Sequence, residues 1–310
     1  MSDTKKPMAE ANRITSMLNA VWGAERFPVK VEEVALEYSR LRFADSPIDK
    51  IQGDALDGFE GMLTANKARS KWLILYNDAV KSEGRKRFTI AHEFGHYLLH
   101  RHQQALFECG DNDIETGDGD KRNIEAEADR FASTLLMPLD DFRQQIKGQP
   151  VSFDLLGHCA NRYGVSLTAA ALQWIEIAGK RAVLLASRDD HLLWAKSNPA
   201  AFKSRAYFAT RKRTIELPQN ALTHSNNISE TRQTQVIRAQ TWFPQEPSSM
   251  LLTEMTKVAG QYDYTLTLLL MPDTDWHLPQ HDDEEPEEDT YDHFIRNGQP
   301  PRVITQSTRT

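Results

Sequence analysis

The stretch RFTIAHEFGHYLLHRH, residues 87–102, constrains this chain more than any other because it contains the pattern H-E-x-x-H. Four residues advance an α-helix by about 400°, so His92 and His96 stand one turn apart on one face and both rings can reach a single ion. Glu93 lies beside them, where its carboxylate can take a proton from water. The pattern predicts a helix that carries a zinc site, and the competing interpretation is a helix with ordinary surface histidines.

A third ligand would decide between these interpretations, and His102 is the first candidate. It stands where the longer pattern H-E-x-x-H-x-x-G-x-x-H has its third histidine. That pattern needs a glycine, which lets the chain leave the helix sharply, and Leu99 occupies the glycine position here. If residues 97–102 stay helical, His102 points away from the face shared by His92 and His96. We therefore expect His102 to be a surface or packing residue.

The second candidate is Glu125, in the later segment IEAEADRFASTLLMP. Asp129 follows one helical turn later, where it can accept a hydrogen bond from the outer nitrogen of a zinc histidine. Glu127 lies about 200° around the helix from Glu125 and is expected to face elsewhere. Taken alone, the segment is better interpreted as a solvated acidic helix start, which the helix dipole favours.

Composition limits the setting of this site. The chain has 310 residues, 40% of them hydrophobic, which is enough for a large core. Cys109 and Cys159 are its only cysteines, so a disulfide framework and a C-x-x-C pair are both excluded. We expect a soluble cytoplasmic protein, because no signal peptide and no apolar run of about 20 residues is present. The acidic run at 282–289 alone accounts for the net charge of -7, so the rest of the chain is neutral overall. Within that rest, residues 201–240 carry seven basic and two acidic side chains.

The pattern of apolar residues predicts an α+β protein. Helices are expected near 8–22, from about Arg87, and over 124–137, with strands in 61–78 around a polar turn and a loop over 108–123. Residues 152–179 resemble a helix-turn-helix with its turn at Gly164, and 182–197 and 262–272 predict a hairpin and a strand. We expect a catalytic region at 8–150, a helix-turn-helix-like segment at 151–180, a small β-containing domain at 181–279 and a disordered acidic tail at 280–310.

Several of these motifs, in this order, resemble the ImmA/IrrE-type metallopeptidases. The similarity runs through FPVKVEEVA, RFTIAHEFGHYLLH, EAEADRFASTLLMP and ANRYGVS, and covers roughly residues 10–180. It implies a zincin-like fold with a small sheet, zinc ligands at His92 and His96, a catalytic glutamate at Glu93 and a third ligand at Glu125. Many members have Asn where this chain has Asp129, which keeps a hydrogen-bond acceptor.

The resemblance implies a zinc endopeptidase that cuts a protein partner, a helix-turn-helix transcriptional repressor, and thereby derepresses genes under stress. Zinc held by two histidines and a glutamate leaves one position to water, which Glu93 can deprotonate before it returns the proton to the leaving amine. The sequence does not identify an oxyanion-stabilising residue; Tyr97 and His158 are the two candidates. The strand WLILYND at 72–78 could pair with a peptide substrate if it lies at a sheet edge, or could equally be a core strand.

Two alternatives remain at this stage. One is a catalytically inactive zinc-containing binding module, which would not need Glu93. The other is a DNA-binding regulator, suggested by the helix-turn-helix-like segment. Its second helix, LTAAALQWIEI at 167–177, has almost no side chains that read base edges, and this disfavours direct nucleic-acid binding.

Overall fold

The computed structural model describes residues 6–56, 58–110, 119–210, 213–228, 231–259 and 263–273. The acidic tail predicted at 280–310 lies outside the described residues, as do positions 211, 212, 229 and 230 of the basic segment. The chain divides into two compact units, Met1–Ala170 and Ala171–Thr310. Of the helices that the structure describes, none is long and apolar enough to cross a membrane.

The first unit combines helices with a small mixed sheet. Its helices are α1 (Pro7–Trp22), α2 (Val31–Arg42), α3 (Glu83–Leu99), α4 (Gly119–Leu136), α5 (Leu139–Ile146) and α6 (Phe153–Tyr163), and α7 (Leu167–Ile177) spans the division between the units. Apolar residues three and four apart, such as Ala11, Ile14 and Leu18 on α1, are buried. The predicted helix-turn-helix segment is confirmed as helical, with Gly164 in the left-handed conformation at φ 62°.

The sheet of this unit contains β1 (Ile48–Asp54), β2 (Phe59–Ala65), β3 (Trp72–Asn77) and β4 (Leu106–Gly110), in the order β1-β3-β2-β4. The predicted strands β2 and β3 are confirmed as an antiparallel pair. On its other side β3 pairs in parallel with β1. Of the two interpretations of WLILYND, the sheet edge is wrong and the core strand holds: β3 is an internal strand, and Trp72 and Ile74 on one of its faces are buried. Among the described strands, β1 and β4 are the edges of this sheet.

Helix α3 carries the H-E-x-x-H pattern and ends earlier than the sequence suggested. It begins after Ser82, whose side chain accepts a hydrogen bond from the Arg85 amide at 3.3 Å. It ends at Leu99, and residues 101–103 turn the chain toward β4. The expectation that the helix continues through His102 is wrong. The predicted loop at 108–123 also begins too early, because residues 108–110 belong to β4.

Helices α3 and α4 pack closely because Gly95 has no side chain. A Cβ atom at Gly95 would lie 3.2 Å from the Ala128 Cα and 3.1 Å from the Phe131 ring. Ala128 is fully buried at this contact. The residues on either side of it therefore reach the histidines of α3 from a short distance.

The second unit is built on a five-stranded antiparallel sheet. Its strands are β5 (Arg181–Arg188), β6 (His191–Ser197), β7 (Arg232–Arg238), β8 (Leu251–Ala259) and β9 (Tyr264–Met271), in the order β6-β5-β9-β8-β7, and a short helix α8 (Pro199–Lys203) follows β6. The predicted hairpin and last strand are confirmed as β5, β6 and β9. The fold is thus α+β, with a helical region and small mixed sheet followed by an antiparallel sheet.

Candidate metal centre

Four side chains of the first unit converge on one point. His92 and His96 come from α3, Glu125 from α4 and Cys109 from β4, and their ligand atoms all lie within 4.8 Å of one another. The two histidine Nε2 atoms are 2.9 Å apart, and the Glu125 oxygens lie 3.2 Å from His92 Nε2 and 3.4 Å from His96 Nε2. Bonds of about 2.0–2.3 Å to a tetrahedral ion place ligand atoms about 3.3–3.8 Å apart. The donor set therefore suits a small divalent ion; the spacing of Glu125 from His96 lies within this range, and the other two distances are shorter than it.

The hydrogen bonds behind the histidines direct a lone pair toward this point. Asp129 accepts a hydrogen bond from His92 Nδ1 at 2.7 Å, so the neutral ring keeps its lone pair on Nε2. His96 Nδ1 faces His100 Nδ1 at 3.1 Å, and His100 Nε2 faces the Glu127 carboxylate at 2.9 Å. A carboxylate only accepts, so neutral His100 donates to Glu127 and accepts from His96.

The direction of these hydrogen bonds fixes the tautomers of the two metal-site histidines. Neutral His96 carries its proton on Nδ1 and, like His92, presents Nε2 as an acceptor. Two carboxylates on α4, Asp129 and Glu127, thus select the tautomers in which both Nε2 lone pairs converge. This is the orientation that a bound metal requires from its histidines.

Glu93 lies beside the donors and differs from them in its surroundings. It is fully buried, and its carboxylate oxygens make no hydrogen bond of normal geometry in the described part of the chain, although the Cys109 thiol lies close enough to lower the pKa of Glu93 as a donor. Burial raises the pKa of Glu93 to about 8, although the charge of His92 opposes the shift. Strand β2 approaches here without a side chain, since a Cβ at Gly61 would lie 2.5 Å from Glu93 Oε1. The site therefore holds an acid–base group with a strongly displaced proton affinity.

Burial and pairing also shift the pKa values of the donors. Burial opposes ionisation of Glu125, but hydrogen bonds to His92 and His96 outweigh it and hold the pKa of this carboxyl well below its usual range. For His92, burial is outweighed by Asp129 and Glu125, so its pKa lies well above 6.5. For His96 burial prevails and lowers the pKa to about 4. In the absence of metal, His92 therefore carries a proton on Nε2, the atom that would bind the ion.

The structure brings together every residue that the sequence singled out for the site: His92, Glu93, His96, Glu125 and Asp129. His102 does not join them, because it is exposed in the turn after α3 and lies outside the donor group. Neither oxyanion candidate reaches the site. The Tyr97 hydroxyl donates to the Ser46 carbonyl at 2.9 Å, and His158 is exposed beside Gln145.

Three residues of the site were missed from the sequence. Glu127 was expected to face away, yet it contacts His100, because close packing at Ala128 brings both flanks of α4 to α3. His100 was not singled out, although it lies one turn beyond His96, a spacing that could have identified it as a ring partner. Cys109 lies at the start of a segment rich in Gly, Asp and Asn that was predicted to be a loop. Only its spacing of two residues from Phe107 indicated that both side chains lie on one face of a strand.

One comparison with known proteins identifies a peptidase family for part of the chain. Residues 25–174 match the family model Peptidase_M78, described as the IrrE N-terminal-like domain. No curated protein matches the chain. Among solved structures, a Mycobacterium tuberculosis transcriptional regulator shares 15% identity with it, over 86% of this chain and 82% of that one, with a TM-score of 0.49. That similarity is too distant to bear on function.

Proposed function

Since residues 25–174 belong to the IrrE N-terminal-like domain family, we propose that this protein is a zinc endopeptidase with a zincin-like catalytic unit. The substrate that the family resemblance suggests is a helix-turn-helix transcriptional repressor, whose cleavage would derepress genes. In this proposal His92, His96 and Glu125 hold the zinc, Asp129 orients His92, and Glu93 is the catalytic acid–base residue.

The observation that carries the proposal is the state of Glu93. A buried carboxyl without a hydrogen bond of normal geometry is costly, and a site that only stabilises the fold has no use for it. Zinc in such a site polarises a scissile carbonyl and lowers the pKa of water. Glu93 would take a proton from the attacking water and deliver it to the leaving amine, and the positive charge of a bound ion would favour the carboxylate form that the first of these steps needs.

Strand β4 offers a position for the substrate. Among the described strands it pairs with β2 on one side only, and it contributes Cys109 to the donor group. An extended peptide could add to the other side of β4 through backbone hydrogen bonds. This assigns to β4 the edge role that the sequence had suggested for β3.

The proposal is tested with Glu93→Gln and the helix-turn-helix repressor encoded nearest to this gene. The variant should keep stoichiometric zinc, while repressor cleavage falls by at least about a hundredfold, the scale of a lost general base. Glu32→Gln, on the exposed face of α2, is the matched control and should cleave normally. A fully active Glu93→Gln enzyme would refute the proposed chemistry.

One observation favours a second candidate, a catalytically inactive zinc-containing module. Cys109 adds a fourth protein donor to the group, and zinc sites closed by four protein ligands are typically structural. The two candidates differ in whether any form of the protein cleaves a peptide bond. No observation of comparable weight favours the DNA-binding regulator.

A further inference from the structure

Cys109 is the one member of the donor group that the three-ligand zinc site does not require. Its Sγ lies 3.5 Å from His96 Nε2 and within 4.8 Å of the other donor atoms. Glu93 is fully buried next to it, and the Cys109 thiol acts on this carboxylate as a hydrogen-bond donor. A cysteine at this position is therefore part of a built site and not an isolated thiol.

The geometry of β4 explains why the thiol faces the donors. Phe107 and Cys109 are two residues apart, so their side chains share one face of the strand. The Phe107 ring stacks on His96, with centroids 4.7 Å apart and an interplanar angle of 22°. Cys109 is the register partner of Gly61 on β2, so the side chain across from the thiol is absent. The strand thus fixes the thiol against the donor group.

We propose that Cys109 is a fourth metal ligand that closes the site in the resting protein, and that removal of this thiolate opens it. The inference rests on the proposed function for its biological meaning. Structural zinc sites have four protein ligands, whereas catalytic sites keep one position for water. With Cys109 bound, the position that water needs is filled by the chain itself, so the untreated protein cleaves only through the fraction of molecules in which the thiolate has left the metal.

Cys109 is accessible to a chemical signal. It is partly exposed, whereas the other cysteine, Cys159, is fully buried. A hydroperoxide is the reagent class that we infer. The Cys109 sulfur attacks the terminal peroxide oxygen, an S–O bond forms as the O–O bond breaks, and the departing alkoxide, or hydroxide when the reagent is hydrogen peroxide, takes a proton from solvent. The sulfur loses two electrons and becomes a sulfenic acid, the peroxide gains them, and the thiolate ligand is lost.

The first test uses cobalt(II) as the probe metal in the full chain. A thiolate bound to cobalt gives a near-ultraviolet charge-transfer band. Wild type and the matched control Cys159→Ala should show this band, and Cys109→Ala should lack it while still binding one equivalent of cobalt. Absence of the band from wild type would overturn the assignment of Cys109 as a ligand.

The second test measures whether the site is open, with acetohydroxamate as a small metal-binding probe. A site that is open less than a tenth of the time binds the probe at least about tenfold more weakly than an open one. Cys109→Ala should therefore bind acetohydroxamate at least about tenfold more tightly than wild type and Cys159→Ala. Treating wild type with hydrogen peroxide should give the same increase in affinity for acetohydroxamate. This measurement replaces the variant if Cys109→Ala does not fold. Equal binding by untreated and treated wild type would contradict the gating role.

Neither test depends on cleavage of a peptide. If both give the expected result while every form leaves the repressor intact, the assignment of Cys109 is upheld and the proposed peptidase function fails. If cleavage also increases on loss or oxidation of Cys109, both proposals are supported.

Discussion

Replacing Glu93 by Gln is expected to stabilise the metal-free protein at alkaline pH. The pKa of Glu93 lies at about 8 in the folded protein, against an ordinary value of 4.5. Between these values the folded state holds its proton more tightly than the unfolded state does. The free energy of unfolding therefore falls as the pH rises from about 4.5 to about 8, and stays lower above it.

The structure gives the size of this effect. One pKa unit corresponds to about 1.4 kcal/mol, so ionising Glu93 costs at most about 5 kcal/mol. Glutamine does not ionise, and near pH 5 it exchanges one neutral, buried polar group for another. Glu93→Gln should thus match wild type near pH 5 and exceed its free energy of unfolding by about 2–5 kcal/mol near pH 8.5.

The difference in the free energy of unfolding between Glu93→Gln and wild type is measured by urea denaturation at the two pH values. Both proteins are first freed of metal with EDTA. Glu32→Gln is the control, and its difference from wild type in the free energy of unfolding should be the same at both pH values. The difference should shrink when metal is bound, because the positive ion favours the Glu93 carboxylate. If Glu93→Gln is less stable than wild type near pH 8.5, the reasoning about its burial is wrong.

Three further predictions concern the same site. Gly61→Ala places a Cβ 2.5 Å from Glu93 Oε1 and should lower the free energy of unfolding by about 1–3 kcal/mol. The control Gly157→Ala has open space around the new Cβ and should be neutral or stabilising. Equal urea midpoints for the two variants would contradict this prediction. Glu125→Ala should weaken zinc binding in a competition titration and His102→Ala should not, and the reverse result would mean that His102 is the ligand. Zinc affinity should rise at least about tenfold per pH unit across neutrality, because zinc displaces the proton from His92 and, if Cys109 binds as proposed, the proton of its thiol as well; a flat pH profile would exclude the displacement at His92.

The helix that carries the metal site could be predicted because its signal is local. His92 and His96 are brought together by helical periodicity alone, and the structure confirms that helix. Glu125 and Asp129 needed the resemblance, since acidic residues at a helix start are ambiguous on their own. Their ligand and orienting roles stay predictions, which the geometry supports.

What the sequence did not reveal depends on contacts between distant segments. The position of β3 inside the sheet is set by β1, whose sequence IDKIQGD is too polar to indicate a strand. The contact of Glu127 with His100 depends on the closeness of α4 to α3, which Gly95 permits. Helical angles give the direction of a side chain on its own helix, but not the distance to a neighbour.

The donor residues all come from residues 92–129, through one helix, one short strand and a second helix that follow each other directly in the chain. A bound ion therefore cross-links a short loop, whose closure costs an unfolded chain little entropy. Such local contacts form early in folding compared with pairings between remote strands. The donors thus all precede the second unit in the chain, and the contacts that a bound ion would make are of short sequence separation.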